Sequence, residues 1–227
     1  MLTIKVADCI FAVDERTYDS FSGLNEFCTD TKSVPEFIIP GWTESLEMDC
    51  SKFVYHLLCR ELLKKRIIPF HGSALKIKNH AHVFIGPSGA GKSTHARLWK
   101  ETFSDCVEMI NDDRPFLRLD EKIYVYGSPW KGKHQIGQNT SAELKSICVI
   151  KKGKQNDIHK LTEAQAFPLI IRQCFPFNDT ESVKMILDMV TDLIKKVSVW
   201  ELTCLKDRSA AEVAFRAMEG DCGNKQE

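Results

Sequence analysis

Gly86, Gly91, Lys92 and Ser93 stand at the spacing G-x-x-x-x-G-K-S, a combination of residue types suited to holding a polyphosphate. In this motif the backbone N–H groups of a glycine-rich loop surround the α- and β-phosphates of a nucleotide, the lysine reaches the β- and γ-phosphates, and the hydroxyl group binds Mg²⁺. Glycines permit backbone conformations and a close approach that a Cβ atom would obstruct. We therefore expect one continuous stretch to bind the nucleotide: Gly86, Pro87, Ser88, Gly89, Ala90, Gly91, Lys92, Ser93 and Thr94.

The motif needs a strand before it and a helix after it, because the unpaired N–H groups and the positive dipole end of a helix favour an anion. Residues 82–85 read His-Val-Phe-Ile, an apolar run typical of a buried strand. Residues 93–101 carry apolar side chains without a helix breaker. This context favours a phosphate-binding loop over a glycine-rich turn that matches the motif by chance.

Two adjacent carboxylates, Asp112 and Asp113, follow an apolar strand predicted at residues 106–110. A phosphate-loop enzyme needs hard oxygen ligands for Mg²⁺ and an acceptor for the proton of the attacking hydroxyl group. Because neighbouring strand residues point to opposite faces, the pair could divide these tasks. We expect Asp112 to act as the base and Asp113, with Ser93, at the metal, although either aspartate could bind it. The alternative is an Asp-Asp turn that caps a loop.

Lys131 and Lys133 lie in a segment rich in turn residues, GSPWKGKH at positions 127–134. This segment could lie over the phosphates and neutralise charge that develops during transfer, or it could be an exposed basic turn. His80 and His82 stand two positions apart and could bind a metal, but a short polar turn at 78–80 favours a hairpin instead.

The composition of the 227-residue chain is that of a soluble globular protein, with 31 basic and 31 acidic residues that balance to zero. No basic excess suggests nucleic acid as a partner. No apolar run approaches the roughly 18 residues of a membrane span, and the amino terminus lacks a secretory signal, so we expect a cytoplasmic protein. The nine cysteines form no C-x-x-C and indicate reduced, mostly buried thiols: Cys9, Cys28, Cys50, Cys59, Cys106, Cys148, Cys174, Cys204 and Cys222.

The hydrophobic pattern predicts a small β-rich amino-terminal subdomain with a connecting helix at residues 1–65 and a phosphate-loop core at 66–227. The predicted subdomain has strands at 2–6, 9–13 and 33–40 and a helix at 51–65. In the core we expect strands at 70–77, 82–85, 106–110, 116–119, 122–126, 145–151, 157–161 and 197–203. Further helices are expected at 162–173, from 179 or 180 to 196, and at 209–218, with a break at 175–177 and a frayed tail from 220. The first of these helices should begin with a capping box of Thr162 and Gln165. The second should carry one apolar stripe, formed by Val183, Ile186, Leu187, Val190 and Ile194.

The order of these motifs resembles the HPr kinase/phosphorylase family, which shares its nucleotide fold with phosphoenolpyruvate carboxykinase. The phrases HGSALKI, GPSGAGKST, NDDRP and GSPWKGK are similar to those of bacterial HPr-kinase-related proteins, some of which phosphorylate a serine. The resemblance covers residue 70 to the last helix. It implies an α/β fold like the carboxy-terminal domain of HPr kinase, with a mixed β-sheet and flanking helices.

Carried over by residue, the resemblance places Lys92 on the β- and γ-phosphates and Ser93 on Mg²⁺. It places the aspartate pair at the metal and at the proton of the attacking hydroxyl group, and His71 near the transferred group. His71 could equally be a hydrogen-bonded histidine at the start of a strand. The glycine-rich signature of the family is not recognisable here, because GSPWKGK stands near its place without a carboxylate. The phosphorylase activity and HPr as the substrate are therefore not carried over. Decarboxylation is not expected either, since no set of substrate-binding arginines is evident.

Taken together, the motifs predict a P-loop kinase that uses ATP and Mg²⁺ and moves the γ-phosphoryl group to a hydroxyl group. The acceptor could be a peptide, a protein or a small molecule, and a homo-oligomer is an open alternative. We expect neither nucleic acid nor a membrane as partner. The rival hypothesis is a nucleotide-binding regulatory or assembly module without transfer chemistry, which would not need a second carboxylate beside the metal ligand.

Overall fold

A three-stranded sheet forms the amino-terminal part of the chain in a computed structural model that describes residues 1–31, 33–46, 48–174 and 177–220. Strands β1 and β2 form an antiparallel hairpin whose turn residues, Ala7 and Asp8, have φ values of 49° and 63°. Strand β3 pairs with β2 in parallel and is shorter than the predicted 33–40 strand. The strands are Leu2–Val6 (β1), Cys9–Val13 (β2) and Phe37–Ile39 (β3).

Two short helices between β2 and β3 were not predicted: α1 (Glu15–Ser20) and a 3₁₀ helix (Ser22–Phe27). The longer helix α2 (Cys50–Leu63) corresponds to the helix predicted at 51–65, and the Asp49 side chain caps its first turn by accepting from the Lys52 N–H. The buried face of α2 packs on the small sheet together with two residues of the larger sheet, Ile67 and Phe116. The domain boundary at residue 65 stays a prediction.

The larger sheet has nine strands in the described part of the chain and mixes parallel with antiparallel pairs. Its main order is β4-β8-β9-β10-β6-β5-β7, and β12 pairs with β10 and β11. The pairs of β10 with β6 and with β12 are parallel, and the others are antiparallel. The strands are Ile67–Pro69 (β4), Gly72–Ile77 (β5), His80–Ile85 (β6), Val107–Asp113 (β7), Phe116–Leu119 (β8), Ile123–Tyr126 (β9), Ser141–Lys152 (β10), Asp157–Lys160 (β11) and Ser198–Cys204 (β12).

Helices cover both faces of this sheet, and the side chains of β6 show why. Successive strand residues point to opposite faces. Val83 and Ile85 join the core formed with α4 and α5, whereas Phe84 joins the core formed with α3 and α6. A strand buried on both faces reads as a continuous apolar run. The helices are Lys92–Phe103 (α3), Glu163–Ile171 (α4), Thr180–Lys196 (α5) and Arg208–Glu219 (α6).

This architecture confirms the predicted mixed α/β class with a mixed sheet and flanking helices. The capping box of α4 is present as predicted, with Thr162 and Gln165 bonded reciprocally. One detail of α5 was wrong: Val183 and Leu187, expected on the apolar stripe, are about 40% exposed. The buried stripe is rotated from the predicted one and consists of Ile186, Met189, Val190 and Leu193.

Some predictions concern residues outside the described ranges. The break at 175–177 falls mostly there, as do Cys222 and the tail after Gly220. The eight cysteines in the described part form no disulfide, although Cys28 and Cys106 are exposed rather than buried. Within the described ranges, no helix is long and apolar enough to cross a membrane.

A buried carboxylate ties α6 to the larger sheet. The Glu219 side chain is 4% exposed and lies 2.9 Å from His82 Nε2, 3.1 Å from Lys145 Nζ and 3.5 Å from His80 Nδ1. Burial would raise the pKa of Glu219, but the close contacts with His82 and Lys145 outweigh it and hold the pKa at about 2. Burial lowers the pKa of His82, although Glu219 opposes this effect.

We predict that the free energy of unfolding falls in acid through this cluster. Below pH ~6.5 the unfolded chain binds a proton at His82, which the folded chain resists because the pKa of His82 is lowered. Below pH ~4.3 the unfolded chain also binds a proton at Glu219, whereas folded Glu219 stays ionised until about pH 2. Glu219→Gln should cost about 1–3 kcal/mol at pH 7, because buried donors lose their charged partner. Urea unfolding of this variant should also depend less on pH between about 4.5 and 2.

The matched control is Glu212→Gln, which changes an exposed carboxylate on the same helix. It should unfold like the parent at every pH. If Glu219→Gln keeps the full acid sensitivity of the parent below pH ~4.5, the assignment of that sensitivity to this cluster is wrong.

Candidate functional site

The glycine-rich loop, residues 86–91, leaves strand β6 and enters helix α3, which is the context that the motif requires. Gly89 and Gly91 have φ values of 76° and 107°, and a Cβ atom at either position would meet nothing within 4 Å. Backbone conformation, rather than lack of space, therefore requires glycine at these two positions. No side chain caps the first turn of α3 after Gly91, so N–H groups at this helix start can receive an anion.

Lys92 folds its side chain back over this loop. Its ammonium group donates to the carbonyl oxygens of Gly86 at 3.0 Å and Pro87 at 3.4 Å. Burial lowers the pKa of Lys92, and Asp113 and Asp112 partly oppose that effect. The charges of both carboxylates therefore act on the lysine ammonium group. Ser93, on the next position of α3, is exposed.

Strand β5 brings the two aspartates to the same sheet edge as the loop. It lies between β6 and β7 and runs antiparallel to both. Strands β6 and β7 are therefore parallel to each other, and their carboxyl ends meet at one edge. The register sets Ser73 opposite Asp112 and Gly72 opposite Asp113. A Cβ atom on Gly72 would lie 2.9 Å from the carbonyl oxygen of Phe84, so glycine permits this close packing.

The two aspartates have different surroundings. Asp112 is 6% exposed, and its Oδ1 accepts a hydrogen bond from the Ser73 hydroxyl group. The Asp113 side chain is 34% exposed, with Oδ1 at 3.7 Å from His71 Nε2 and Oδ2 at 3.5 Å from Arg114 Nε. One carboxylate is thus fixed in the protein and the other faces the open side of the site.

His71 is a close neighbour of Asp113, with 3.7 Å between its Nε2 and Asp113 Oδ1. Its backbone N–H donates to the carbonyl oxygen of Gln173 at 2.8 Å, which joins the end of α4 to the start of β5. Burial and the charge of Lys92 lower the pKa of His71, and Asp113 opposes them. These effects favour the neutral form of the imidazole.

The segment that contains GSPWKGKH packs along the edge of β7. The Asp112 N–H donates to Ile136 O, and the Gln138 N–H donates to Ile110 O, each at 3.0 Å. The buried Asn111 amide donates to the carbonyl oxygen of Ser128 at 3.1 Å. Residues on both sides of the motif are therefore bonded beside the aspartate pair, whereas residues 132–135 between them form a turn.

The lysines of this segment differ from each other. Lys131 is 6% exposed, and its ammonium group pairs with Glu26 of the 3₁₀ helix. Lys133 and His134 are exposed. A phosphate contact by Lys131 would require the pair with Glu26 to open, whereas Lys133 needs no such release.

A cavity of about 760 Å³ runs along the glycine-rich loop. Its volume lies within the ~300–1,000 Å³ typical of ligand pockets. Sequence reasoning missed four cations near the loop. Lys151, Lys152 and Arg172 line the cavity, and Lys206 lines a pocket of about 210 Å³ with Lys92 and Ser93. None of the four belongs to a motif, and chain topology alone brings them to the loop.

The available donors fit Mg²⁺. Mg²⁺ prefers oxygen ligands and is commonly bound by one or two carboxylates together with substrate phosphates. Asp112, Asp113 and Ser93 offer carboxylate and hydroxyl oxygens of this kind. Among the described residues, no group of three His, Cys, Asp or Glu side chains could hold a metal ion. His80 and His82 instead belong to the β5–β6 hairpin, where both lie near Glu219.

No family model matches the sequence, and no curated protein matches it. Among the solved structures that match is the Hpr(Ser) kinase/phosphatase from Coxiella burnetii. It is 10% identical in sequence, with a TM-score of 0.34, and the match covers 67% of this chain and 99% of that chain. The likeness is distant.

We predict that Gly132 fixes the basic segment against β7. Its φ is 68°, and a Cβ atom there would lie 2.6 Å from the carbonyl oxygen of Asp112. Gly89→Ala is a matched control, with a φ of 76° but open surroundings. The control should lose about 1–2 kcal/mol of unfolding free energy from the left-handed backbone alone. Gly132→Ala should lose at least about 1 kcal/mol more, because its methyl group meets backbone.

Urea unfolding of both variants without nucleotide measures this difference. Equal losses would mean that the segment is not packed against β7 at Gly132.

Proposed function

We propose that this chain is a kinase that transfers the γ-phosphoryl group of ATP to a hydroxyl group of an acceptor, with Mg²⁺. One observation carries the proposal: strand β5 separates two parallel strands, β6 and β7, so that Lys92 and the pair Asp112 and Asp113 share one edge of the sheet. A module that only binds nucleotide needs no second carboxylate there.

The proposal extends to the fold type, the domain bounds, the cellular compartment and the partners. We propose an HPr kinase-like fold of the phosphoenolpyruvate carboxykinase type, with a β-rich amino-terminal subdomain at 1–65 and the kinase core at 66–227. The support is the mixed sheet with helices on both faces and the separate small sheet. The chain would act in the cytoplasm on a nucleotide and a hydroxyl-bearing acceptor.

In this proposal the glycine-rich loop and Lys92 bind the triphosphate. Backbone N–H groups at the start of α3 and the lysine ammonium neutralise the phosphate oxygens. Ser93 and one aspartate would hold the metal. When bound there, Mg²⁺ would supply positive charge that reduces the negative charge of the triphosphate. Lys92 is half-buried, so its interaction with an anion would be less screened by water than that of an exposed lysine.

The surroundings of the aspartates favour roles opposite to those expected from the sequence. A base must reach the acceptor hydroxyl group. Asp113 is partly exposed, whereas Asp112 is buried and bonded to Ser73. We therefore propose Asp113 as the proton acceptor and Asp112 as the metal ligand. His71, whose Nε2 lies 3.7 Å from Asp113 Oδ1, would orient that carboxylate near the transferred group.

Lys131 and Lys133 are proposed to neutralise charge on the transferring phosphoryl group. The support is the position of their segment beside Asp112. Lys133 is exposed and can move toward the phosphates, whereas Lys131 would first have to leave Glu26. Lys206 is a further candidate, since it lines a pocket with Lys92 and Ser93.

We predict that Asp113→Asn spares Mg²⁺-dependent nucleotide binding but lowers phosphoryl transfer about 10²–10⁴-fold, the usual contribution of a positioned base. Asp112→Asn should instead weaken nucleotide binding in the presence of Mg²⁺. Calorimetric titration with and without Mg²⁺ measures binding. Release of ADP from ATP in the presence of a fractionated cell extract, which supplies the acceptor, measures transfer.

Asp105→Asn, an exposed carboxylate before β7, is the control and should behave like the parent. If both Asn variants of the pair bind nucleotide and turn over like the parent, the paired-carboxylate mechanism has to be abandoned. Unimpaired transfer by Asp113→Asn alone would reverse the two roles.

A further inference from the structure

A second pocket, of about 210 Å³, adjoins the large cavity, because His71, Arg172 and Gln173 line both. Its other lining residues come from separate parts of the chain: Tyr55, Phe70, Arg114 and Cys174. Arg114 follows the aspartate pair directly, whereas Arg172 stands at the end of α4. The fold thus brings together two arginines that showed no relation in the sequence.

The charge around this pocket is unbalanced. Arg114 has one carboxylate nearby, since its Nε lies 3.5 Å from Asp113 Oδ2, and its guanidinium group lies 4.8 Å from the centre of the Tyr55 ring. Arg172 is exposed and forms no ion pair with any described residue. None of the described lining residues carries a carboxylate. Two guanidinium groups therefore face a space with one carboxylate at its margin.

We propose that this pocket receives the anionic group of a small hydroxyl acceptor, a hydroxy carboxylate or a hydroxy phosphate, held by Arg172 and Arg114. The inference rests on the proposed phosphoryl transfer. Guanidinium groups bind carboxylates and phosphates through paired hydrogen bonds. A pocket of about 210 Å³ is smaller than the ~300–1,000 Å³ that drug-sized ligands occupy, so it suits a small molecule.

The position of Asp113 connects this pocket to the chemistry. Its carboxylate lies within 3.7 Å of His71 and 3.5 Å of Arg114, both of which line the pocket. A hydroxyl group close to the bound anion would then face the proposed base. The acceptor oxygen forms the bond to the γ-phosphorus, and the bond from that phosphorus to the β,γ-bridging oxygen breaks. ADP leaves with the bond electrons, and Asp113 takes the hydroxyl proton.

Saturation-transfer NMR can test anion recognition with defined probes. Lactate and glycerol phosphate represent the two anionic classes, and propane-1,2-diol and glycerol are their uncharged analogues. Measurements with saturating Mg²⁺-ADP keep the glycine-rich loop occupied, so that a signal from an anion reports a second site. We expect binding of at least one anionic probe and none of its uncharged analogue.

Two variants locate the site. Arg172→Gln should weaken binding of the anionic probe about tenfold or more, since one charge-assisted pair is lost. Arg114→Gln should weaken binding of the anionic probe in the same way. Because Arg114 lines the second pocket but not the large cavity, this variant shows which of the two holds the probe. The control, Arg216→Gln, removes an exposed arginine from the last turn of α6 and should match the parent. Nucleotide affinity is measured in parallel for each variant.

The outcomes separate this inference from the proposed function. If the parent binds Mg²⁺-ADP but no anionic probe, or if both arginine variants bind the probe like the parent, the acceptor pocket is wrong and the kinase proposal stands. Phosphorylation of an uncharged blocked serine tripeptide, without any of the small anions, would likewise contradict the proposal that the pocket binds an anionic acceptor. If the parent fails to bind nucleotide at all, the proposed function is lost, and this inference with it.

Discussion

The antiparallel pairing of β5 with both β6 and β7 is the constraint on which the site depends. It makes β6 and β7 parallel, so the glycine-rich loop and the aspartate pair emerge at one edge of the sheet. The pairing requires close backbone approach, which Gly72 permits because any side chain there would meet the carbonyl oxygen of Phe84. Because this register is fixed on both sides of β5, a shift of one residue would exchange the surroundings of Asp112 and Asp113.

The same strand arrangement gives each side chain at the edge a distinct environment. Asp112 is fixed by Ser73, its partner across the sheet, whereas Asp113 lies between two cationic or polar neighbours, His71 and Arg114. At the opposite end of β6, a buried carboxylate, Glu219, links α6 to the sheet through His82 and Lys145. One end of the sheet thus uses charge to stabilise the fold, and the other end leaves charge available for a ligand.

Most strands of the larger sheet and the helices that pack on it could be predicted from the sequence, because they depend on local signals. These signals are apolar runs, turn residues and helix caps such as Thr162. Contacts between distant segments could not. Nothing local indicates that Lys131 pairs with Glu26, that Lys206 reaches the loop, or that Arg114 and Arg172 share a pocket. The exposed positions of Val183 and Leu187 were missed because several helical stripes fit the same apolar residues.

Binding of Mg²⁺-ATP through Lys92 is the central claim, and the thermal unfolding midpoint tests it most directly. A ligand that binds only the folded chain stabilises it by about 2.7 kcal/mol at 100 times its dissociation constant, which should raise the midpoint by about 5–10 °C. Lys92→Ala should abolish this rise, and Lys100→Ala, which changes an exposed lysine of the same helix, should keep it. A midpoint of the parent chain that saturating Mg²⁺-ATP leaves unchanged would contradict the claim.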